Sequence, residues 1–157
     1  MLKLGELVKD KASGSKGMLT HYHIDMDSNE NYLFQPAGLN PETQLPIDTI
    51  WLSKGRVVGG KEISPDLPME VLGTQAEDIA TGFKGMVIAI CQHINCCIHL
   101  EVKPKGTLKK SGETIKAQDF DIRRLKGPAI KQLTEEERDK STKKNPSPAP
   151  HPSLRTR

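Results

Sequence analysis

The chain contains an internal repeat without gaps, and this repeat limits what the chain can fold into. Residues 4–18 align with residues 72–86, and eight of the fifteen aligned positions carry the same amino acid. The identical pairs are Leu4/Leu72, Gly5/Gly73, Asp10/Asp78, Ala12/Ala80, Gly14/Gly82, Lys16/Lys84, Gly17/Gly85 and Met18/Met86. The same offset of 68 later relates Pro36 to Pro104 and Gly38 to Gly106. A unit of this length is a small domain and not a solenoid turn, so we predict two copies of one scaffold.

A weaker similarity between the copies follows these glycines. It is a short pattern with a hydrophobic residue, an aspartate and a leucine, found as Ile47-Asp48-(x3)-Leu52 and Phe120-Asp121-(x3)-Leu125. Aligned in this way, the second copy contains a small insertion. Because the two copies share no catalytic residue, the repeat indicates a structural or binding role in preference to catalysis.

The size and composition of the chain favour small domains that are only marginally stable on their own. A chain of 157 residues divides into two units of roughly 60 residues each. Apolar residues make up 35% and aromatic residues 4% of the chain, so each unit is marginal alone and is expected to rely on its neighbour, a partner or a symmetric assembly. No apolar run is long enough for a membrane span, and residues 1–6 lack a signal-peptide stretch. We expect a protein that is made and assembled in a cytoplasm.

Positive charge is concentrated at the C-terminal end. Residues 1–60 carry six Lys/Arg and seven Asp/Glu, and residues 61–126 carry ten and nine. Residues 127–157 carry seven Lys/Arg and four Asp/Glu, and the five basic residues after Asp139 are accompanied by no acid. A nucleic-acid-binding domain usually carries its positive charge on the folded module. The neutral repeats therefore disfavour such a role.

Both copies have the sequence pattern of short strands separated by polar turns. Alternating and short apolar runs predict the strands Glu6 to Val8, Met18 to Ile24, Tyr32 to Gln35 and Ile47 to Leu52, and then Gln75 to Glu77, Met86 to Cys91, Ile98 to Val102 and Gln118 to Leu125. The glycines expected to set the turn geometry are Gly14, Gly17, Gly82 and Gly85. Four or five short strands per copy, without a helical period, predict an all-β chain of two tandem small SH3-like barrels.

The predicted domain boundaries follow from these patterns. We expect a first barrel over 1–58, a linker over 59–70, a second barrel over 71–126, and a C-terminal helix and arm over 127–157. Thr134 and Glu137 form a capping box, which predicts a short helix that ends near Ser141. The proline-rich remainder is predicted to be an extended or disordered arm.

Metal sites are considered and set aside. The segment 25–31 places oxygen ligands at alternate positions like a calcium loop, but it lacks the glycine and the final glutamate of that loop, so an acidic hairpin tip is the preferred interpretation. The histidines and cysteines of residues 91–99 crowd into one hairpin without the second pair that a zinc site needs. We expect no metal and no cofactor.

The three cysteines leave alternatives open. Cys91 and Cys97 could lie across the hairpin from each other, or Cys96 at its tip could meet a neighbouring subunit. Buried reduced thiols are the alternative in a cytoplasm. No nucleophile elbow or phosphate-binding loop occurs, so no enzyme is expected. Asp10 and Asp78 are expected to bond to local backbone N–H groups.

The second copy resembles a type of small virion protein encoded by tailed bacteriophages. The similar segments are Asp78-(x2)-Thr81-Gly82-Phe83-Lys84-Gly85, Asn95-Cys96-Cys97, Val102-Lys103-Pro104 and Phe120-Asp121-(x3)-Leu125. The first copy matches only in outline, since Ser15 replaces the phenylalanine, and Cys96 stands where glycine is usual. The resemblance implies a virion structural component with two tandem small barrels, placed around the head–tail axis or on the capsid.

These observations lead to one expected function and two alternatives. We expect a non-enzymatic component of the neck, collar or tail of a phage particle, which forms a ring or lattice with its own copies and with other virion proteins. A capsid decoration protein and a KOW-type or SH3-like nucleic-acid-binding module are the alternatives. The expected contact residues are Phe83 and Trp51 for the core or a contact, Cys91, Cys96 and Cys97 for inter-subunit bridging, and Lys140, Lys143, Lys144, Arg155 and Arg157 for a docking arm.

Overall fold

The computed structural model describes residues 1–108 and 111–131, and these residues are all-β. They form ten strands and three 3-10 turns of three residues, with no α-helix. The first copy contains β1 (Leu7–Asp10), β2 (Lys16–Asp25), β3 (Glu30–Pro36), β4 (Ile50–Ser53) and β5 (Val57–Val58). The second copy contains β6 (Gln75–Asp78), β7 (Lys84–His93), β8 (Ile98–Lys103), β9 (Gln118–Asp121) and β10 (Leu125–Lys126). The prediction of an all-β chain is confirmed, whereas the predicted helix from Thr134 and the docking-arm residues lie outside the described residues.

The repeat extends through the whole strand order at a constant offset. Each strand of the second copy begins 68 residues after its counterpart, and the 3-10 turns Lys54–Arg56 and Ile122–Arg124 obey the same offset. The expected insertion is therefore wrong, because Leu52 corresponds to Phe120 and not to Leu125. The Asp-(x3)-Leu similarity was a chance match that hid the true alignment.

The two halves also share one pairing scheme, which is antiparallel throughout. The strand β1 pairs with β2 and β5, and β3 pairs with β2 and β4. Correspondingly, β6 pairs with β7 and β10, and β8 pairs with β7 and β9. Each long strand has a register shift at equivalent places, between Leu19 and His21 in β2 and between Val87 and Ala89 in β7. Such a bulge bends the strand, which lets it contribute to a curved sheet.

The halves are joined by direct pairing of β2 with β7, so that all ten strands belong to one sheet. The register places His21 opposite His93 and His23 opposite Cys91. Cys91 is the counterpart of His23 in the repeat, so a pseudo-twofold axis passes between these two residues. The ends of the junction obey the same symmetry, since Met26 N donates to Ile88 O at 3.0 Å and Ile94 N donates to Thr20 O at 2.8 Å.

One apolar core runs through both halves. The inward faces of the strands supply its largest fully buried side chains: Leu19, Tyr32, Phe34, Leu52, Val87, Ile90, Leu100, Val102 and Leu125. Tyr32 also accepts a hydrogen bond from the backbone N–H of Leu2 at 2.7 Å through its hydroxyl, which fixes the N-terminal segment. The core covers one face of the sheet, and the other face of the β2–β7 junction is accessible for other contacts.

The chain beyond β10 remains packed on the second half as far as it is described. Gly127 and Ile130 form an isolated bridge, and Ile130 is only 5% exposed within the core cluster. Any truncation that is meant to spare the fold must therefore begin after Lys131. In the described part of the chain, no helix has the length and apolar character needed to cross a membrane.

Candidate functional site

A buried aspartate recurs in both halves with the same partners. Asp10, which is 0% exposed, accepts hydrogen bonds from the Ser13 N–H at 3.1 Å and from the Ser13 hydroxyl at 2.7 Å. Arg56 donates to both of its carboxylate oxygens, through Nε at 3.1 Å and Nη2 at 2.7 Å. These bonds, above all the one from Arg56, hold the pKa of Asp10 well below its usual range.

Asp78 repeats this arrangement in the second half. It is 0% exposed, accepts from the Thr81 N–H at 3.0 Å and the Thr81 hydroxyl at 2.5 Å, and is bound by Arg124 at 3.1 and 2.8 Å. The Thr81 hydroxyl, followed by Arg124, lowers the pKa of Asp78. The expected bonds to local N–H groups are confirmed, but the arginines were missed. Their signal was the offset itself, since Arg56 and Arg124 are also 68 residues apart.

The four glycines that were expected to set the turn geometry have two different roles. Gly14 and Gly82 occupy the left-handed region, with φ of 76° and 72°, and each donates its N–H to the carbonyl of the aspartate four residues earlier at 2.8 Å. This conformation strains any residue with a Cβ. Gly17 and Gly85 lie inside β2 and β7 and not in turns, where a Cβ would collide with the neighbouring strand. Their role is close strand approach, which differs from the turn role that we expected.

The two aromatic residues singled out by sequence lie in different environments. Phe83 is partly buried and packs on Phe120, with ring centroids 5.4 Å apart. Trp51 projects from β4 and is 51% exposed. An indole that is half exposed beside histidine rings, and not sequestered in the core, marks a surface where contacts can form.

Trp51 forms one wall of a groove that crosses the β2–β7 junction on the face opposite the core, which we call the junction groove. Its volume is about 320 Å³. The first half supplies His21, His23, Leu33 and Trp51. The second half supplies Ala89, Cys91, His93, Glu101, Ala117 and Asp119. One wall is thus aromatic and apolar, whereas the other carries two carboxylates.

Histidine rings pack against one another along this groove. The ring centroids of His21 and His93 are 4.1 Å apart, and those of His93 and His99 are 4.6 Å apart. Trp51 lies 6.4 Å from His21 and 5.9 Å from His23. The sequence placed these histidines in two separate groups, and the junction brings the groups together.

The carboxylates of the second half face the same rings. His99 Nδ1 lies 2.7 Å from Asp119 Oδ2, and His23 Nε2 lies 3.8 Å from Glu101 Oε2. Burial, and then the neighbouring charges of His93 and His99, lower the pKa of His21. Burial and His99 likewise lower the pKa of His93, although Asp119 acts in the opposite direction. At neutral pH these two rings are therefore uncharged.

Acidification is expected to weaken the fold through this cluster. The pKa of His21 and His93 is lowered on folding, so the unfolded chain takes up protons near pH 6.5, before the folded chain does. Stability that is present above that pH is lost as the pH falls through it. Urea unfolding at pH 7.5 and 5.5 should show a drop in the free energy of unfolding, and His93→Gln should show a smaller drop. An equal drop in the variant would contradict this assignment.

The cysteines do not pair within the chain. Cys91 lies opposite His99, and the Cys97 carbonyl accepts from the His93 N–H at 2.9 Å, so the alternative that placed Cys91 across the hairpin from Cys97 is wrong. Burial, followed by Asp119 and Glu101, raises the pKa of Cys91 to about 11, and its thiol is protonated at neutral pH. Cys96 is exposed at the hairpin tip with φ of 67°. This left-handed conformation is one that glycine adopts without strain.

Ligands for a metal are not assembled in the described residues. No group of three or more His, Cys, Asp or Glu side chains there is arranged to hold an ion. In the hairpin that looks like a calcium loop, Asp25 accepts bonds at 2.9 Å from the N–H groups of Asp27 and Asn29 and from the Asn29 amide. The Asp25 carboxylate closes its own turn, which agrees with an acidic hairpin tip.

Comparison of the chain with protein-family models, curated proteins and solved structures gave no match. The two copies within the chain can nevertheless be compared with each other, because they align residue by residue. The aspartate–arginine pairs and the glycines recur in both copies, whereas Trp51 corresponds to Asp119 and His21 to Ala89. The recurrent residues hold each half together. The junction groove is the candidate functional site because it brings the half-exposed Trp51 of the first half together with the carboxylates Glu101 and Asp119 of the second half.

Proposed function

We propose that this chain is a non-enzymatic structural component of a tailed-phage particle, located in its neck, collar or tail and assembled through barrel contacts and a C-terminal arm. The resemblance of residues 72–126 to small phage virion proteins supports this origin. The strand arrangement supports two small SH3-like barrels: in each half the first strand pairs with the second and the fifth, and a 3-10 turn precedes the fifth.

The observation that carries the proposal is what the two copies have retained. Both keep a buried aspartate clamped by an arginine and a serine or threonine, and both keep glycines where the backbone requires them. These residues stabilise a scaffold and do not present a reactive group to solvent. Duplication of a scaffold that keeps its stabilising residues is typical of a protein that holds other proteins in place.

An exposed apolar segment supports a role in assembly. The segment between β3 and β4 exposes Leu39, Leu45 and Ile47, and Leu45 is 63% exposed. Ile50 and Trp51 at the start of β4 are also exposed, on opposite faces of that strand. Clustered apolar side chains on a small protein mark contacts with other proteins.

Mass spectrometry of purified phage particles tests the proposal directly. We expect the chain in intact particles and, after separation of heads from tails, in the neck or tail fraction. Its presence only on heads would favour capsid decoration, and its absence from particles would overturn the proposal.

Deletion of residues 132–157 tests the role of the arm. We expect the truncated chain to keep its melting temperature, because Ile130 and the core remain, but to be lost from particles. The matched control replaces the same segment with a neutral Gly/Ser sequence of equal length. Normal incorporation of either variant would contradict a docking arm.

A further inference from the structure

We propose that the junction groove binds a lysine or arginine side chain, and that its occupant is the basic C-terminal segment, residues 132–157, of a neighbouring copy of this chain. The inference rests on the proposed function, because it names the surface on which the C-terminal arm docks.

The walls of the groove match a cation on a flexible stem. Trp51 offers a half-exposed indole face, and tryptophan is the side chain that attracts cations most strongly. Across the groove, Glu101 and Asp119 supply carboxylates, and no lysine or arginine lies among the lining residues. This charge distribution attracts cations and repels phosphates.

His21 and His93 do not cancel the negative charge at neutral pH. Burial and neighbouring histidines lower the pKa of both side chains, so both rings are neutral there. Cys91 keeps its proton because burial raises the pKa of its thiol. The carboxylates Glu101 and Asp119 supply the negative charge of the groove, and they lie 3.8 Å from His23 and 2.7 Å from His99. Protonation of His21 and His93 at acidic pH would oppose this negative charge.

The size of the groove suits one side chain of an extended segment. Its volume of about 320 Å³ lies at the lower end of the range for small-ligand sites, which is roughly 300–1,000 Å³. A helix or a folded domain would need a larger surface. A peptide that lays one Lys or Arg against Trp51 would fit.

The sequence itself contains a segment with the complementary charge. Both repeats are close to neutral, but the segment after Asp139 carries only basic charges, at Lys140, Lys143, Lys144, Arg155 and Arg157. Lys140 lies nine positions after Lys131, which allows a reach of at most about 30 Å. In a ring or lattice each copy would give one such segment and receive another, so identical contacts add up around the assembly.

Fluorescence of Trp51 provides the test, since it is the one tryptophan of the chain. The receptor is the full chain with Lys140, Lys143, Lys144, Arg155 and Arg157 replaced by Gln, so that its own segment does not compete. The probe is a synthetic peptide of residues 132–157, which contains no aromatic fluorophore. We expect a saturable change in Trp51 emission at pH 7.5 that weakens about tenfold or more at high salt, because the contact is electrostatic.

Paired variants assign the binding to the groove. In Glu101→Gln/Asp119→Asn we expect at least a tenfold weaker response to the peptide. The matched control is Glu42→Gln/Asp48→Asn, which removes the same charges from the exposed segment between β3 and β4 and should leave binding unchanged. Melting temperatures identify any variant that is misfolded, and the single change Glu101→Gln then replaces the double variant. No response to the peptide, or equal responses of groove and control variants, would overturn the inference.

Two further measurements test other occupants of the groove, namely a nucleic acid and the chain's own C-terminal segment. A single-stranded oligonucleotide in place of the peptide should not change Trp51 emission. A saturable response to it would favour a nucleic acid as the occupant and overturn the inference. In the unmodified chain, Trp51 emission should depend on protein concentration. A tail-dependent signal without concentration dependence would mean that the chain's own segment fills the groove, which would overturn the assignment to a neighbouring copy.

The outcomes of this test and of particle analysis are separable. Absence of peptide binding in a chain that is found in phage particles would defeat this inference alone. Peptide binding by a chain that is absent from particles would defeat the proposed function and leave the groove assignment intact.

Discussion

Arg124→Ala is expected to lower the melting temperature by roughly 10 °C, because it leaves the Asp78 carboxylate buried without its cation. Arg56→Ala should have a similar effect through Asp10, since the two pairs have nearly the same geometry. Thermal unfolding followed by circular dichroism measures both. Lys3→Ala is the control: it breaks an exposed pair with Glu6 at 3.9 Å and should shift the melting temperature little.

The mechanism behind this effect has two further readouts. Adding Asp78→Asn to Arg124→Ala should restore part of the lost stability, because the unpaired charge disappears. The pKa of Asp10 and Asp78 is depressed in the folded state, so the stabilisation is present above the unfolded value near pH 4 and is lost as the pH falls towards the folded values. This acid window lies well below the one expected for the histidines. If the double variant were no more stable than Arg124→Ala, the buried-charge explanation would be wrong.

Gly17→Ala is expected to lower the free energy of unfolding by about 1–3 kcal/mol, the cost of forcing extra volume into a packed site. The added Cβ would overlap the Gln35 carbonyl oxygen and come within 2.6 Å of the Phe34 ring, whose side chain is fully buried. Gly85→Ala should cost a similar amount, because its Cβ would meet the Lys103 carbonyl group and lie 2.8 Å from Pro104 N. Denaturant unfolding measures both changes.

Gly55→Ala is the matched control for these substitutions. It lies in a 3-10 turn of the first half, and a Cβ there would meet no atom within 4 Å. We expect a change below about 0.5 kcal/mol, as for surface positions in general. A cost at Gly55 equal to that at Gly17 would show that the backbone freedom of glycine matters and the close strand approach does not.

Local patterns were sufficient to predict much of the fold. The alternation in residues 98–102 and the apolar run 86–91 are confirmed as parts of β8 and β7, because a strand with one buried face shows its period directly in the sequence. The repeat identified the first strands and the glycine turns of both halves. The last strands were misaligned because a three-letter similarity outweighed a constant offset.

The junction and its groove were not predictable in the same way. Pairing of β2 with β7 depends on which strand edges remain unpaired after each half has formed. The hydrophobic alternation of a strand does not show which distant strand will pair with it. His21 and His93 are 72 residues apart, so only the junction shows that their rings are in contact. The constant offset aligns Trp51 with Asp119, but the alignment alone does not show that these two side chains line one groove.

The pseudo-twofold axis between His23 and Cys91 has a consequence for recognition. If the same module existed as two separate, identical polypeptides, both sides of the cleft would necessarily carry the same residues, and an indole could face only another indole. Linking the modules in one polypeptide removes that restriction. In the fused chain the two walls of the groove can therefore differ, with aromatic residues on one wall and carboxylates on the other. A dimer of identical modules would have two identical walls.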